Sequence, residues 1–401
     1  MLMTSDAARQ LLDRAVAEDR IPGAVLAAGL GGPEPLLLHV VGDAQRDDQS
    51  RRPMAVDTIF DLASLTKVVA TLPCILSLVA SGELGLDDSV RRYLPAFAGD
   101  GKDAVTARHL LTHTSGLPPH RKYYEEFSQA GEALAAALAE PLVAAPGGIF
   151  EYSDVGMIVA GELAATIAGT GLDELTLAVV ARPLAMADTG YRPAARLAGR
   201  IAATEPVDSG AGGSAGSPWQ EAAAGGSGGS PSREAAAARS PLSSAPEVAA
   251  KVGVVHDENA ELLGGVAGHA GLFGTAADLA SYAAAWAGPP GIADAGWAQV
   301  PAALRADALR CQTDGRGGRR GLAWGLRHDR WDNMGDGWPE SGAGHTGFTG
   351  TSLSVDPVSG LWAVLLTNAV HFGRGPEHSV VTLRKQVHRA VAAALLDSTV
   401  Q

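Results

Sequence analysis

The sequence predicts an α/β fold of the α+β kind: one domain assembled from both chain ends, with an all-helical domain inserted into it. Three observations predict it. Strand-like apolar runs lie near the two ends, the stretch from about 81 to 191 reads with helical period, and a Gly/Ser-rich tract follows before order resumes. The expected division is 1–80 with 252–401 for the α/β domain, 81–205 for the helical domain and 206–251 for a flexible insertion.

Residues 1–21 read as an amphipathic helix, with Ala8, Leu11, Leu12, Ala15 and Val16 on one face. Asp6, Arg9, Asp13, Arg14 and Glu18 interrupt any apolar run there, so neither a signal peptide nor a membrane span is expected, and the expected setting is cytoplasmic. Runs 24–30 and 36–42 read as strands parted by Gly31-Gly32-Pro33. Residues 57–63 are extended and lead at Ser64 into a helix reaching about Ala80. That helix is apolar on nearly every side and therefore central. Segments 104–113, 128–139 and 155–168 are the clearest helices of the inserted part. Residues 206–250 carry almost no large apolar side chains and cannot offset their chain entropy, so a mobile surface loop is expected. Thr275 caps a helix running to Trp286. Runs 351–356 and 361–368 flank Pro357-Val358-Ser359-Gly360 as a hairpin, and 377–396 closes the chain as an amphipathic helix.

A net charge of −13, with no long basic run, argues against nucleic acid or an anionic membrane as partner. Cys74 and Cys311 are too few for a disulfide framework, and Cys74 falls in the apolar helix, where packing is expected.

The chemistry starts at Ser64-Leu65-Thr66-Lys67. Three residues apart on a helix, serine and lysine share a face with about 5–6 Å between Cβ atoms. A desolvated lysine amine, or a tyrosine held anionic by it, can then take the serine proton and create an acyl-accepting nucleophile. A lone SxxK is weak evidence. Further segments supply partners: Tyr152-Ser153-Asp154 on a turn feeding a helix, and Gly344-His345-Thr346-Gly347-Phe348-Thr349-Gly350 entering the hairpin. Val255-His256-Asp257-Glu258-Asn259-Ala260 and Gly268-His269-Ala270-Gly271-Leu272-Phe273 lie between them.

In that order and at these separations, SxxK, Tyr-x-Asp and His-Thr-Gly resemble the serine β-lactamase and penicillin-binding-protein superfamily. The likeness is nearest to its class C β-lactamase-like branch of esterases, D,D-peptidases and acyl transferases. Arg108–Leu117, Pro183–Met186, Trp324-Gly325 and the two segments above extend it over residues 20–390. The resemblance implies a β-lactamase-like fold, an antiparallel sheet flanked by helices from both termini plus an inserted helical domain. It also implies that Ser64 is the nucleophile, that Lys67 assists its deprotonation, and that Tyr152 is base in acylation and acid for the leaving group. Asp154, in place of the more usual Asn, is expected to contact Lys67 and substrate. His345, Thr346 and Gly347 are expected to align the acyl chain, and the N–H groups of Ser64 and Phe348 to form the oxyanion hole. Tyr124, His269 and Trp324 are expected to line the pocket.

One departure bears on the substrate. A lysine at 345 supplies a permanent cation for a substrate carboxylate, whereas His345 is mostly neutral near pH 7. That favours a neutral ester or amide of a small molecule, with water or an amine as acyl acceptor, over penicillins or D-Ala-D-Ala peptides. The alternatives are a D,D-carboxypeptidase or β-lactamase, and, in another class, a non-catalytic binding protein; retention of Ser64, Lys67 and Tyr152 speaks against the last. No cofactor is called for, and no metal: His256, Asp257, Glu258 and His269 match no metal-ligand spacing and read as hydrogen-bonding groups of the pocket floor. His113, between Leu111 and Leu117, reads as a satisfied interior histidine.

Overall fold

The computed structural model describes residues 2–47, 50–205, 250–288 and 297–396. Its main sheet has seven strands in the order β3-β2-β1-β10-β9-β8-β7. These are β1 (Gly23–Leu30), β2 (Leu37–Arg46), β3 (Arg51–Pro53), β7 (Gly325–Leu326), β8 (Ala343–Thr346), β9 (Ser352–Val355) and β10 (Leu361–Thr367). A separate three-stranded sheet joins β4 (Phe60–Asp61), β6 (Leu272–Gly274) and β5 (Gly190–Tyr191) in the order β4-β6-β5.

The two chain ends meet at the centre of the main sheet, where β1 and β10 pair antiparallel from Ala24↔Thr367 to Leu30↔Leu361. Both strands are apolar at successive positions because both faces are covered. Ala24, Leu26 and Ala28, with Leu361, Ala363 and Leu365, pack under the helices Leu2–Ala17 and Val381–Leu396. Val25, Ala27, Trp362, Val364 and Leu366 face the other way, toward the helix Ala276–Ala287. Each leucine or valine among them contributes about 1.5–3 kcal/mol on burial, each alanine less. This second layer is continuous with the helical part of the chain, so one apolar core runs from Val364 to Leu163. The sheet cannot slip by one residue without exchanging its two faces.

The helices of the middle segment include Ala107–Leu111, Tyr123–Glu126, Ala130–Ala139, Asp154–Ala168 and Leu172–Thr176. Asp154–Ala168 and Leu172–Thr176 pack against residues 65–80, whose apolar side chains are almost all buried. That stretch is not a uniform α-helix: Lys67–Thr71 is a π-helical turn and Leu72–Ala80 is α-helical. Cys74 is buried in it, and burial pushes its thiol up to about 12. The final helix starts at Val381, later than residue 377, because Pro376–His378 forms a separate 3₁₀ turn. Residues 206–249 of the expected insertion lie outside the described residues. The chain on either side of them is joined by Thr204 N–H donating to Lys251 C=O at 2.9 Å. Among the described residues no single helix is long and apolar enough to cross a membrane.

Candidate active site

Ser64 stands just before the central helix, between β4 and the π-helical turn, rather than inside its first regular turn. Asp61, buried at the end of β4, accepts the N–H of Ala63 at 2.8 Å and that of His256 at 2.6 Å. This forces Ala63 into a left-handed conformation, φ 47°. A non-glycine residue there costs on the order of 1–2 kcal/mol, a strain commonly found beside reacting groups. Three successive turns follow, with the N–H groups of Leu65, Thr66 and Lys67 donating to the carbonyls of Leu62, Ala63 and Ser64. They bring Lys67 onto the face that carries Ser64.

Lys67 is fully buried among polar partners. Its Nζ lies 2.8 Å from Ser64 Oγ, 3.0 Å from the His269 carbonyl and 2.8 Å from Asp154 Oδ1. Burial opposes its charge, but the charges and hydrogen bonding of Asp154 and Tyr152 outweigh it and raise its pKa above the ordinary lysine value. Lys67 is therefore an ammonium at neutral pH. Asp154 shows the reciprocal balance: burial raises its pKa, while the charge of Lys67 and a hydrogen bond from His120 overcome that and hold it well below the carboxylate range.

Tyr152 is positioned by its neighbours on both sides. Ser153 N–H donates to His113 Nδ1 at 3.1 Å, and Ser153 Oγ caps the helix Asp154–Ala168 by accepting from Gly156 N–H at 2.9 Å. The Tyr152 ring packs on His113 at 4.4 Å and edge-on against Trp331 at 5.2 Å, with Lys67 Nζ 5.1 Å from its centroid. A second cation stands near it. Arg320, buried and bonded to Asp329 at 3.0 Å, places its guanidinium 5.9 Å from the Tyr152 ring.

On the facing edge, β8 presents Thr346 partly exposed while His345 is buried. Burial, then the Lys67 and Arg320 charges, push His345 well below the usual histidine range, so its ring is neutral. After β8 the backbone turns at Gly347, where a Cβ would meet Leu62 O at 2.5 Å and Ala63 Cβ at 3.2 Å. Only glycine allows this approach, and it sets Phe348 beside the residues that precede Ser64. The N–H groups of Ser64 and Phe348 have no acceptor among the described residues.

The Beta-lactamase family profile matches residues 8–383. The chain belongs to this family. Among its relatives is an N-acetylmuramyl-L-alanine amidase of Bacillus subtilis, 30% identical over 387 residues, covering 90% of this chain and 80% of that protein. Esterase EstB of Burkholderia gladioli is 36% identical over 200 residues, 45% of this chain and 50% of that one. In fold, the chain is similar to EstCE1, a hydrolase with promiscuous acyltransferase activity, at TM-score 0.67 and 23% identity over 97% of this chain and 98% of that one. The beta-lactamase-family chain is thus a serine hydrolase or acyltransferase by membership, and an enzyme.

Within this beta-lactamase-family site several expectations change. Trp324 does not line the pocket: it is fully buried, 5.2 Å from Trp286 in the core on the Ala276–Ala287 side of the sheet. His269 contacts Lys67 through its carbonyl, while its ring is buried and bonded to Asp257 at 2.8 Å. His113 is interior but not fully satisfied, since Nδ1 accepts from Ser153 and Nε2 has no partner among the described residues. His256 lies 3.1 Å from Glu205 Oε2 and stacks on Phe348 at 5.7 Å. Tyr124 is half-buried, its N–H on Asn259 Oδ1 at 3.4 Å, near Glu258 and Arg374. Arg374 in turn lies 5.7 Å over the Phe348 ring. His120, Arg320, Trp331 and Arg374 carry no sequence motif; only folding brings them to the site.

Asp154→Asn tests the charge balance. With the Asp154 carboxylate gone, burial wins and the Lys67 pKa falls. The stabilising contribution of the charged Lys67 is full below its unfolded pKa and is lost as pH rises through its folded value. In the wild type that folded value is raised, so the loss comes late. In Asp154→Asn the folded value lies below the unfolded one, so losing the proton favours the folded state: melting temperatures measured from about pH 7 to 11 are expected to start below those of the wild type and to close on them as pH rises. Superimposable profiles contradict this.

Proposed function

We propose that the protein catalyses acyl transfer through an acyl-enzyme on Ser64, taking neutral small-molecule esters or amides as acyl donors. The observation that carries this reading is the Lys67 ammonium, 2.8 Å from both Ser64 Oγ and Asp154 Oδ1 and close to Tyr152. An ammonium has no lone pair, so Tyr152, whose ring lies 5.1 Å from Lys67 Nζ and 5.9 Å from the Arg320 guanidinium, is the group to take the Ser64 proton. Ser64 Oγ then bonds to the donor carbonyl carbon. The oxyanion is received by the Ser64 and Phe348 N–H groups. On collapse, the bond to the leaving oxygen or nitrogen breaks, and that atom takes the proton from Tyr152. Water or an amine repeats the sequence in reverse, giving esterase, amidase or transacylase turnover.

Neutral His345 supports neutral donors, because it leaves no cation at that position of β8 for a substrate carboxylate. The names of two relatives, an esterase and an amidase, span the same two leaving groups. The test is to incubate the protein with p-nitrophenyl butyrate, nitrocefin and a D-Ala-D-Ala peptide in parallel. The expected result is an adduct on Ser64 by intact mass and turnover of the ester above the two carboxylated donors. No adduct on folded protein, or preference for the carboxylated donors, overturns the reading. Added amines that shift product partition assign transacylase activity. The cytoplasmic setting belongs to the same proposal and is tested by cell fractionation.

A further inference from the structure

Arg384 is a buried cation that the chemistry above does not use. It sits in the closing helix Val381–Leu396, 3% exposed, on the side of the sheet away from the helix Ala276–Ala287. Among the described residues no carboxylate accompanies it, and burial alone pulls its pKa down. Placing a guanidinium there costs several kcal/mol unless strong acceptors receive it. The acceptors it has are two backbone carbonyls. Nη2 donates to Gly347 O and Nε to Gly350 O at 3.3 Å. Its nearby titratable group, His388, is pushed down to about 3 by burial and by the Arg384 charge, so it adds no compensating charge.

The identity of the first carbonyl matters. Gly347 C=O and Phe348 N–H belong to one planar trans amide, so they point in opposite directions. A donor that draws the carbonyl back toward the closing helix aims the N–H the other way, toward the side where Gly347 abuts Leu62 and Ala63. A charged donor on the oxygen also withdraws electron density from the nitrogen and strengthens the N–H as a donor. Two further bonds tie the same turn to the residues before Ser64: Thr349 Oγ1 donates to Asp61 O at 2.8 Å and Thr351 Oγ1 to Leu62 O at 3.1 Å. Gly347 N–H is spent on Thr351 O at 2.8 Å, which leaves Phe348 N–H facing no protein acceptor among the described residues.

From this geometry we infer that Arg384 is a positioning residue of the oxyanion hole, which orients and polarises the Gly347–Phe348 amide from behind the sheet. The inference rests on the acyl-enzyme reading above. It assigns to a residue more than thirty positions downstream of the motif the role of setting donor strength at Phe348. Substrate does not touch it.

The experiment compares Arg384→Gln and Arg384→Lys with the wild type in the full-length protein. Active sites are titrated by the p-nitrophenolate burst, and the carbonyl stretch of the Ser64 acyl-enzyme is read by infrared difference spectroscopy. Removing one oxyanion donor typically costs about 10²–10³ in rate. Weakening one is therefore expected to lower kcat/KM per titrated site by about 10–10² in Arg384→Gln, with the acyl carbonyl band moving to higher frequency. Arg384→Lys, which keeps the charge but not the fork, should show a smaller change in the same direction. If the glutamine variant does not fold, the lysine variant decides by its band alone. An unmoved band in every variant that folds, or a loss of rate that vanishes when normalised to titrated sites, overturns the inference. The two readings fail separately: a wild-type protein without a Ser64 adduct overturns both, whereas a wild-type adduct matched by the variants overturns only the role of Arg384.

Discussion

Lys67→Ala is expected to lower the acylation rate of Ser64 by at least about 10² and to destabilise the fold by about 3–5 kcal/mol. Both effects have one origin. Lys67 is fully buried with polar contacts to Ser64, Asp154 and the His269 carbonyl, so its removal strands each of them. Asp154 then loses the charge that offsets its burial, which leaves a carboxylate in a site that penalises it. A rise of the Asp154 pKa toward or above the ordinary range follows. The mutant's stability deficit should narrow as pH falls, because its stranded carboxylate protonates in the folded state, whereas the wild-type carboxylate stays charged and the wild type loses stability as the unfolded chain takes up that proton. Burst kinetics with p-nitrophenyl butyrate and urea melts at two pH values read the two effects. Acylation within tenfold of the wild type would show that Lys67 is not needed to activate the serine.

Tyr152→Phe should reduce kcat by about 10² or more while hardly moving the melting temperature. The ring keeps its packing on His113 and Trp331, so only the phenol's hydrogen bonding is lost, worth about 0.5–1.5 kcal/mol. The loss should depend on the leaving group. A p-nitrophenolate departs without a proton, whereas an alkoxide or amide nitrogen must receive one. Ethyl esters and amides are therefore expected to suffer more than p-nitrophenyl esters. Equal losses across leaving groups would remove Tyr152 from the role of acid, and near-normal rates would remove it from both roles.

Much of the fold was legible because local pattern and global position agree. Residues 24–30 and 361–366 carry no polar side chain, and they pair at the centre of a sheet covered on both faces. Thr275 and Ser153 both accept from the backbone N–H three residues on, the kind of cap their side chains suit. The motif residues Ser64, Lys67, Tyr152, Asp154 and His345 were legible for another reason, since their side-chain chemistry is distinctive in itself. Trp324 misled because an aromatic beside a glycine reads alike whether it lines a pocket or fills a core. Its contact with Trp286 is made across 38 positions of chain and has no local signature.

The sequence by itself marked Ser64 as candidate nucleophile, Lys67 and Tyr152 as its candidate partners, the two strand regions that frame them and a histidine at position 345. These follow from residue type and short spacing, which a chain carries before it folds. The tertiary structure alone decided the protonation of Lys67, the cations set around Tyr152 and the support beneath Phe348. Each depends on burial and on charges brought together from distant positions: Asp154 against Lys67, Arg320 behind Tyr152, Arg384 behind the Gly347–Phe348 amide. Desolvation and Coulomb interaction act through space, so they exist only once the fold has closed around the site.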